Sequence, residues 1–297
     1  MSKNKKIKTA IFPVGGLGTR FLPVTKSMPK EMLPIANKPI IQHAFEEAKN
    51  AGIEQFIFVT GRNKNAITNH FDHAYELESK LDEKRKVEEL NRVVGWLPQA
   101  GHIAFIRQQK PLGLGHAIWC ARHFVQNEPF VVILADEMLL PKKDGQKSFL
   151  QEMIEFYESK ESNSSVVAVG EIAIEDSTKY GIIKAQSDHK IIDMVEKPKP
   201  QDAPSNLAIT GRYILQPEIF SYLEKGKVGS GGEIQLTDAM RDMCNDSPYY
   251  YQKITEQRFD CGNVLGYLEA NIAFSLNDNE IAAGASALIK KYAKIIA

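Results

Sequence analysis

Residues 7–34, IKTAIFPVGGLGTRFLPVTKSMPKEMLP, decide how the chain is read. The first eight are mostly apolar and strand-like, and they break off into Gly15, Gly16 and Gly18. A β run ending in a glycine cluster reads as a strand feeding a turn. Glycines reach positive φ and let backbone N–H groups converge on an anion, while Arg20 and Lys30 bring fixed positive charge. Together these parts can cradle a triphosphate. A lone glycine-rich turn also fits a tight strand-to-helix corner that needs glycine for geometry only.

Outward from this turn, apolar runs alternate with helical patterns: KPIIQHAFEEAKNAG at 38–52, EQFIFVTG at 54–61, HIAFIRQ at 102–108, HAIWCARHFV at 116–125 and FVVILAD at 130–136. That alternation predicts βαβ units and a largely parallel sheet. FIFV and FVVIL lack in/out alternation, as expected of strands covered on both faces. Gly52 is placed to cap the first helix in the left-handed conformation. Between them, AYELESKLDEKRKVEELNRV at 74–93 spaces opposite charges three and four apart and reads as an exposed helix. From about Ser164 shorter β segments follow, SVVAVGEI, YGIIKAQ, KIIDMVEKP and LAITGRYIL; helices return near Pro217 and Ile234 and after Gly262. No repeat or linker interrupts the chain, so one domain over 1–297 is expected. About 7–140 is its nucleotide half, about 164–262 the second substrate's half, and about 263–297 C-terminal helices.

Two glycine-loop readings are excluded. The dinucleotide fingerprint needs a third glycine three residues after the second, where Phe21 stands, and the P-loop needs GKS or GKT, which is absent. Lys plus Arg and Asp plus Glu each number 37, so net charge gives no sign of nucleic-acid or membrane-surface binding. The basic start MSKNKKIK lacks the apolar core of a signal peptide, no segment is long enough to span a bilayer, and the expectation is a cytoplasmic protein. The three cysteines, Cys120, Cys244 and Cys261, form no CxxC pair and read as small buried hydrophobes; Cys261 in FDCGN is also weighed as a nucleophile.

GGLGTR followed by PKEMLP closely resembles the signature of the sugar-nucleotide nucleotidyltransferase family, and PKEML, GLGHA, EKP, SNLAITGRY, EIQLTD and DCGN resemble its bacterial uridylyltransferase branch. The likeness runs from about Ile7 to about Tyr267. One departure is Gly15, where the branch often has alanine. The resemblance implies an α/β, Rossmann-like nucleotide-diphospho-sugar transferase fold, a mostly parallel mixed sheet flanked by helices with a smaller β-rich sugar-binding portion. It implies UTP and glucose 1-phosphate as substrates, Mg2+ as cofactor and a homo-oligomer, dimer or tetramer.

Residue by residue, it implies Gly15, Gly16, Arg20 and Lys30 at the nucleotide phosphates, with Glu31 beside them as a contact or as support for the loop. In RQQKPLGLGHAIW, Gln108 would read the pyrimidine edge, which offers donor and acceptors to an amide, and Gly113 would let the base approach. His116 reads as a packed helix residue or a substrate contact. Asp136 ends FVVILAD, where a carboxylate faces the crevice of an open α/β sheet, and with Asp260 would hold the metal. Gly181, Glu196, Gly211 and Glu233 would meet the sugar and Lys197 its phosphate. The expected reaction is an in-line displacement at the α-phosphate with no covalent enzyme intermediate. The alternatives are a pyrophosphorylase using dTTP or N-acetylglucosamine 1-phosphate, and a non-catalytic regulator that binds nucleotide sugar.

Overall fold

The computed structural model describes residues 5–142 and 145–296, so the opening Met1–Asn4 of the basic start and the last residue of the terminal helical run lie outside the described residues. A nine-stranded sheet runs in the order Ile103–Arg107, Gln55–Thr60, Thr9–Val14, Phe130–Ile133, Leu207–Leu215, Ser165–Glu171, Tyr249–Lys253, Lys190–Glu196, Gly181–Ala185. The first four strands pair in parallel. Leu207–Leu215 then runs antiparallel to both its neighbours, and of the remaining pairs only Ser165–Glu171 with Tyr249–Lys253 is parallel. The sheet is thus continuous across both halves, with its parallel character concentrated in the first.

The runs without alternation are covered on both sides. Phe12, Phe58, Val131 and Ile133 enter one apolar cluster, while Ile11, Ile57, Val59, Phe130 and Val132 enter the other. The helix Ile40–Asn50 covers the first face with Ile40, Ile41, Ala44, Phe45 and Ala48, and Gly52 follows its end at φ 88. Phe45 meets the rings of Phe56, Phe71 and Trp96 at 4.5, 5.1 and 6.0 Å. Removing a phenyl group so enclosed costs about 3–5 kcal/mol. One ion pair is set within this layer: Arg212, 2 % exposed, is held by Glu47 through bonds of 2.9 and 2.7 Å.

The charged stretch differs from expectation. It forms two short helices, Tyr75–Glu83 and Val87–Val94, because Arg85 takes φ 55 and halts the helix after Glu83; a further short helix, Asn65–His70, precedes it. Charge spacing supports a helix face but cannot hold a helix through a left-handed residue. No described helix is long and apolar enough to cross a membrane.

Candidate active site

Each of the four parallel strands delivers a residue to one crevice at its carboxyl end. Gly15 follows Val14, Gly61 follows Thr60, Gln108 follows Arg107, and Asp136 comes three residues after Ile133. Ligands in open α/β sheets bind at this edge because the chain leaves the layer there and exposes backbone groups. The packing is close: a Cβ on Gly61 would lie 2.7 Å from the Gly15 carbonyl, and one on Gly15 would lie 2.9 Å from Gln108 Oε1. Gly61 was not singled out from sequence; its signal is a glycine at the end of a buried strand.

Within the glycine turn only Gly18 lies in the left-handed region, at φ 66, while Gly15 and Gly16 do not use positive φ. Thr25 Oγ1 donates to the Gly18 carbonyl at 2.7 Å and pins the loop. The short helical turns that follow carry Arg20 and Lys30 back toward Asp136. Lys30 Nζ lies 2.5 Å from Asp136 Oδ2. Burial works against the charge on both groups. Asp136 and Glu31 nevertheless hold the Lys30 ammonium above its ordinary value, and Lys30 holds the Asp136 carboxyl below its own, so the pair stays ionised.

Glu31 does not face the crevice. Its carboxylate accepts from Lys64 Nζ at 2.7 Å, with side chains 3 % and 7 % exposed. Burial still pushes its carboxyl up against the pull of Lys64 and Lys30. Of the two readings of Glu31, the geometry matches the support of the loop: it braces the turn from behind through Lys64.

Asp260 closes the crevice from a distant part of the chain. The strand Arg258–Asp260 pairs antiparallel with Glu137–Leu139, which sets Asp260 opposite Glu137, and Cys261 N–H donates to the Asp136 carbonyl at 2.7 Å. Asp260 Oδ1 accepts from Gly262 N–H at 2.8 Å and Oδ2 from Asn263 Nδ2 at 3.0 Å, fixing the carboxylate plane. A Cβ placed on Gly262 would be 2.8 Å from Asp260 Oδ1, 3.3 Å from Asp136 Oδ2 and 3.6 Å from Arg20 Nη1. Two carboxylates and a guanidinium therefore surround one small volume that a side chain at 262 would fill. Beside them, burial pushes the Cys261 thiol up to about 12, aided by Asp136, Asp260 and Glu137. A thiol so protonated is a packing group, not a nucleophile.

The second half presents another wall. A Cβ on Gly181 would lie 2.8 Å from Thr237 Oγ1 and 3.1 Å from Glu196 Oε2, so this glycine leaves room for both polar groups. Thr237 is a wall residue that sequence reading missed, being one Thr inside EIQLTD. Lys197 adopts φ 48, its N–H donates to the Tyr180 carbonyl at 2.9 Å, and its Nζ sits 3.3 Å from Glu196 Oε1. The Tyr180 hydroxyl in turn accepts from Arg258 Nη2 at 3.3 Å, and Arg258 Nη1 lies 3.3 Å from Glu137 Oε2. This chain of contacts joins the Lys197 turn to the strand pair that carries Asp136 and Asp260. Glu137 is pushed up to about 7, by burial first and then by Asp136 and Asp260 against the pull of Arg258.

Gly211 and Glu233 have protein neighbours that sequence did not announce. A Cβ on Gly211 would be 2.5 Å from Glu137 Cβ, so Gly211 makes room for Glu137 and its near neighbours are Glu137 and Leu134. Glu233 is exposed beside the other glycine loop, where its Cβ would be 2.7 Å from a Cβ on Gly113, and it accepts from Gln235 Nε2 at 3.3 Å. Gly113 itself takes φ 105 and abuts the Ile234 backbone, two conditions that only glycine meets together.

A parallel half-sheet that gathers glycine turns, two cations and two carboxylates at its strand ends defines an α/β enzyme handling phosphorylated nucleotides. The family model described as nucleotidyl transferase matches residues 9–275. The UTP--glucose-1-phosphate uridylyltransferase of Bacillus subtilis strain 168 is 45% identical over 284 residues, 93% of this chain and 94% of that protein. A UTP-bound UGPase from Acinetobacter baumannii superposes with a TM-score of 0.86 at 38% identity, covering 96% of this chain and 99% of that one. A UDP-glucose pyrophosphorylase complexed with UDP-glucose gives 0.81 at 41% identity, over 92% and 100%. The chain belongs to the nucleotidyl transferase family, in its bacterial UTP--glucose-1-phosphate uridylyltransferase branch.

Proposed function

We propose that this chain joins UTP and glucose 1-phosphate into UDP-glucose and pyrophosphate. A phosphate oxygen of the sugar forms the new bond to the α-phosphorus of UTP, and the bond from that phosphorus to the αβ-bridging oxygen breaks, its electron pair leaving with pyrophosphate. Such transfers depend on positioning and on neutralising charge, because two anions must be brought together. Arg20 and Lys30 hold the nucleotide phosphates over the turn at Gly15 and Gly16; Gln108 and Gly113 take the base. Gly181 and Glu196 take the sugar, and Lys197 holds its phosphate. The observation that carries this reading is the convergence of Asp136, Asp260 and Arg20 around Gly262, with Lys30 on Asp136.

Asp136 and Asp260 suit a hard divalent cation. Magnesium uses one or two carboxylates and fills its shell with water and phosphate oxygens, and no group of three or more metal-ligating side chains occurs among the described residues. Bound there, Mg2+ would supply charge stabilisation to the phosphate oxygens. The protein's own part is to orient Asp260 through the Gly262 and Asn263 hydrogen bonds and to tie it to Asp136 through the Cys261 N–H.

A pyrophosphate-release screen of nucleoside triphosphates against sugar phosphates, with and without magnesium, tests the proposal. UTP with glucose 1-phosphate is expected to give the highest kcat/KM, and only with the metal. Preference for dTTP or for N-acetylglucosamine 1-phosphate would move the chain to a sister activity, and no release from any pair would make it a regulatory binder. The retained lysines and aspartates favour the enzyme, since a binder does not need them.

The reading includes action in the cytoplasm, where nucleoside triphosphates are held, and a homo-oligomer. Support for the latter is the helix Val264–Asn277, which leaves Leu265, Leu268, Ile272 and Leu276 exposed along its length. Sedimentation should give a mass of at least two chains; a monomer at micromolar concentration would reject it.

A further inference from the structure

Gln108 stands at the end of Ile103–Arg107 with its backbone N–H on the Thr60 carbonyl at 2.8 Å and its side chain buried. Its amide nitrogen Nε2 faces two partners, the Gly113 carbonyl at 3.1 Å and His116 Nδ1 at 3.0 Å. A backbone carbonyl can only accept, so the amide group turned toward it is the NH2 and not the oxygen. The second N–H then points at His116 Nδ1, which must be the unprotonated ring nitrogen, with the ring proton on Nε2.

The surroundings keep this arrangement. Burial lowers the pKa of His116, leaving a neutral ring able to accept, and Cys120 Sγ lies 3.8 Å from the same Nδ1, where a thiol can only add a weak donor. The ring lies against Trp119, with centroids 5.9 Å apart and planes 28° apart. The Gly113 carbonyl is fixed as well: residues on either side of it are bonded to Ile234, through Leu112 O to Ile234 N at 2.8 Å and Gly115 N to Ile234 O at 2.9 Å. With both of its N–H groups engaged, Gln108 turns only Oε1 toward Gly15 and the nucleotide crevice.

We propose that His116 is a positioning residue: together with the Gly113 carbonyl it locks Gln108 as an acceptor-only reader, so that the crevice selects a base carrying a ring N–H over one whose ring nitrogen accepts. Uracil donates from N3 and satisfies Gln108 Oε1. Cytosine presents an N3 lone pair to the same oxygen, and two acceptors left facing one another repel. The inference rests on the assignment of this crevice to the nucleotide base.

The test compares kcat/KM for UTP and CTP, each with glucose 1-phosphate and magnesium, in the unaltered protein and in the His116→Ala, His116→Asn and Gln108→Ala variants. His116→Ala is expected to lower the UTP-to-CTP ratio about tenfold, as befits one lost hydrogen bond on a buried amide. The change should fall on the nucleotide KM and leave the KM for the sugar phosphate in place. His116→Asn should restore the ratio, because Asn Oδ1 occupies the place of Nδ1 and also accepts. If His116→Ala keeps the ratio while Gln108→Ala loses it, the lock is wrong and the base assignment stands. If Gln108→Ala changes neither the ratio nor the UTP KM, the base assignment itself fails. Nitrogen-15 spectra of the histidine rings give a reading that needs no variant: a proton on Nδ1 of His116 overturns the lock.

Discussion

Asp136→Asn should reduce kcat/KM for pyrophosphate release at least about a thousandfold while the thermal melt stays close to that of the unaltered protein. Asparagine keeps the shape and removes the charge. Two functions are lost together: one of the carboxylates facing the volume beside Gly262, and the anion that holds Lys30 Nζ in place. Stability changes little by comparison, because the Lys30 and Asp136 side chains are 20 % and 27 % exposed and the freed ammonium can be hydrated. The Glu31–Lys64 pair behind the loop is the contrast: at 3 % and 7 % exposure, removing one partner there would leave a buried charge and threaten the fold itself. Calorimetric titration with magnesium supplies a second reading, in which heat of binding disappears with the carboxylate. Activity within tenfold of the unaltered protein, or unchanged metal binding, would remove Asp136 from the site.

The parts of the site that sequence made legible are those tied to strand ends. Gly15 and Asp136 follow apolar runs read as strands, and a parallel sheet sends the residues after such strands to one edge; the role of Gln108 came through the family resemblance. Asp260 likewise came through the family resemblance, since its placement depends on the pairing of Arg258–Asp260 with Glu137–Leu139, a contact between segments more than a hundred residues apart. Gly211 leaves room for Glu137, and nothing within LAITGRY announces that neighbour. Tyr249–Lys253, YYYQK, went unread as a strand because it is short, follows a turn-forming NDSP, and owes its place to a parallel partner at Ser165–Glu171. The broken helix at Arg85 is a third case. Local charge spacing was correct there, and a single backbone conformation outweighed it.

Lys197→Ala carries the other large effect, a fall in kcat of about a hundred- to a thousandfold, the scale seen when one preorganised charge is taken from a developing transition state. Its distinguishing mark is the split between substrates: the KM for glucose 1-phosphate should rise as well, while that for UTP stays within about twofold, because the nucleotide wall of Arg20, Lys30 and Gln108 is untouched. Folding should be unaffected. Lys197 is an exposed residue, and both lysine and alanine carry a Cβ at φ 48, so the backbone there is no worse off in the variant. Arginine would not substitute well, since Glu196 stands 3.3 Å from the ammonium and the larger planar fork needs a different approach to both partners. The position of the ammonium is inherited from further in: Lys197 N–H holds the Tyr180 carbonyl, the Tyr180 hydroxyl meets Arg258, and Arg258 lies on Glu137 between the two aspartates. A cation anchored through that relay reaches the second anion from a frame shared with Asp136 and Asp260. Near-normal turnover in Lys197→Ala, or an equal rise in the KM of both substrates, would show that the charge serves something other than the sugar phosphate.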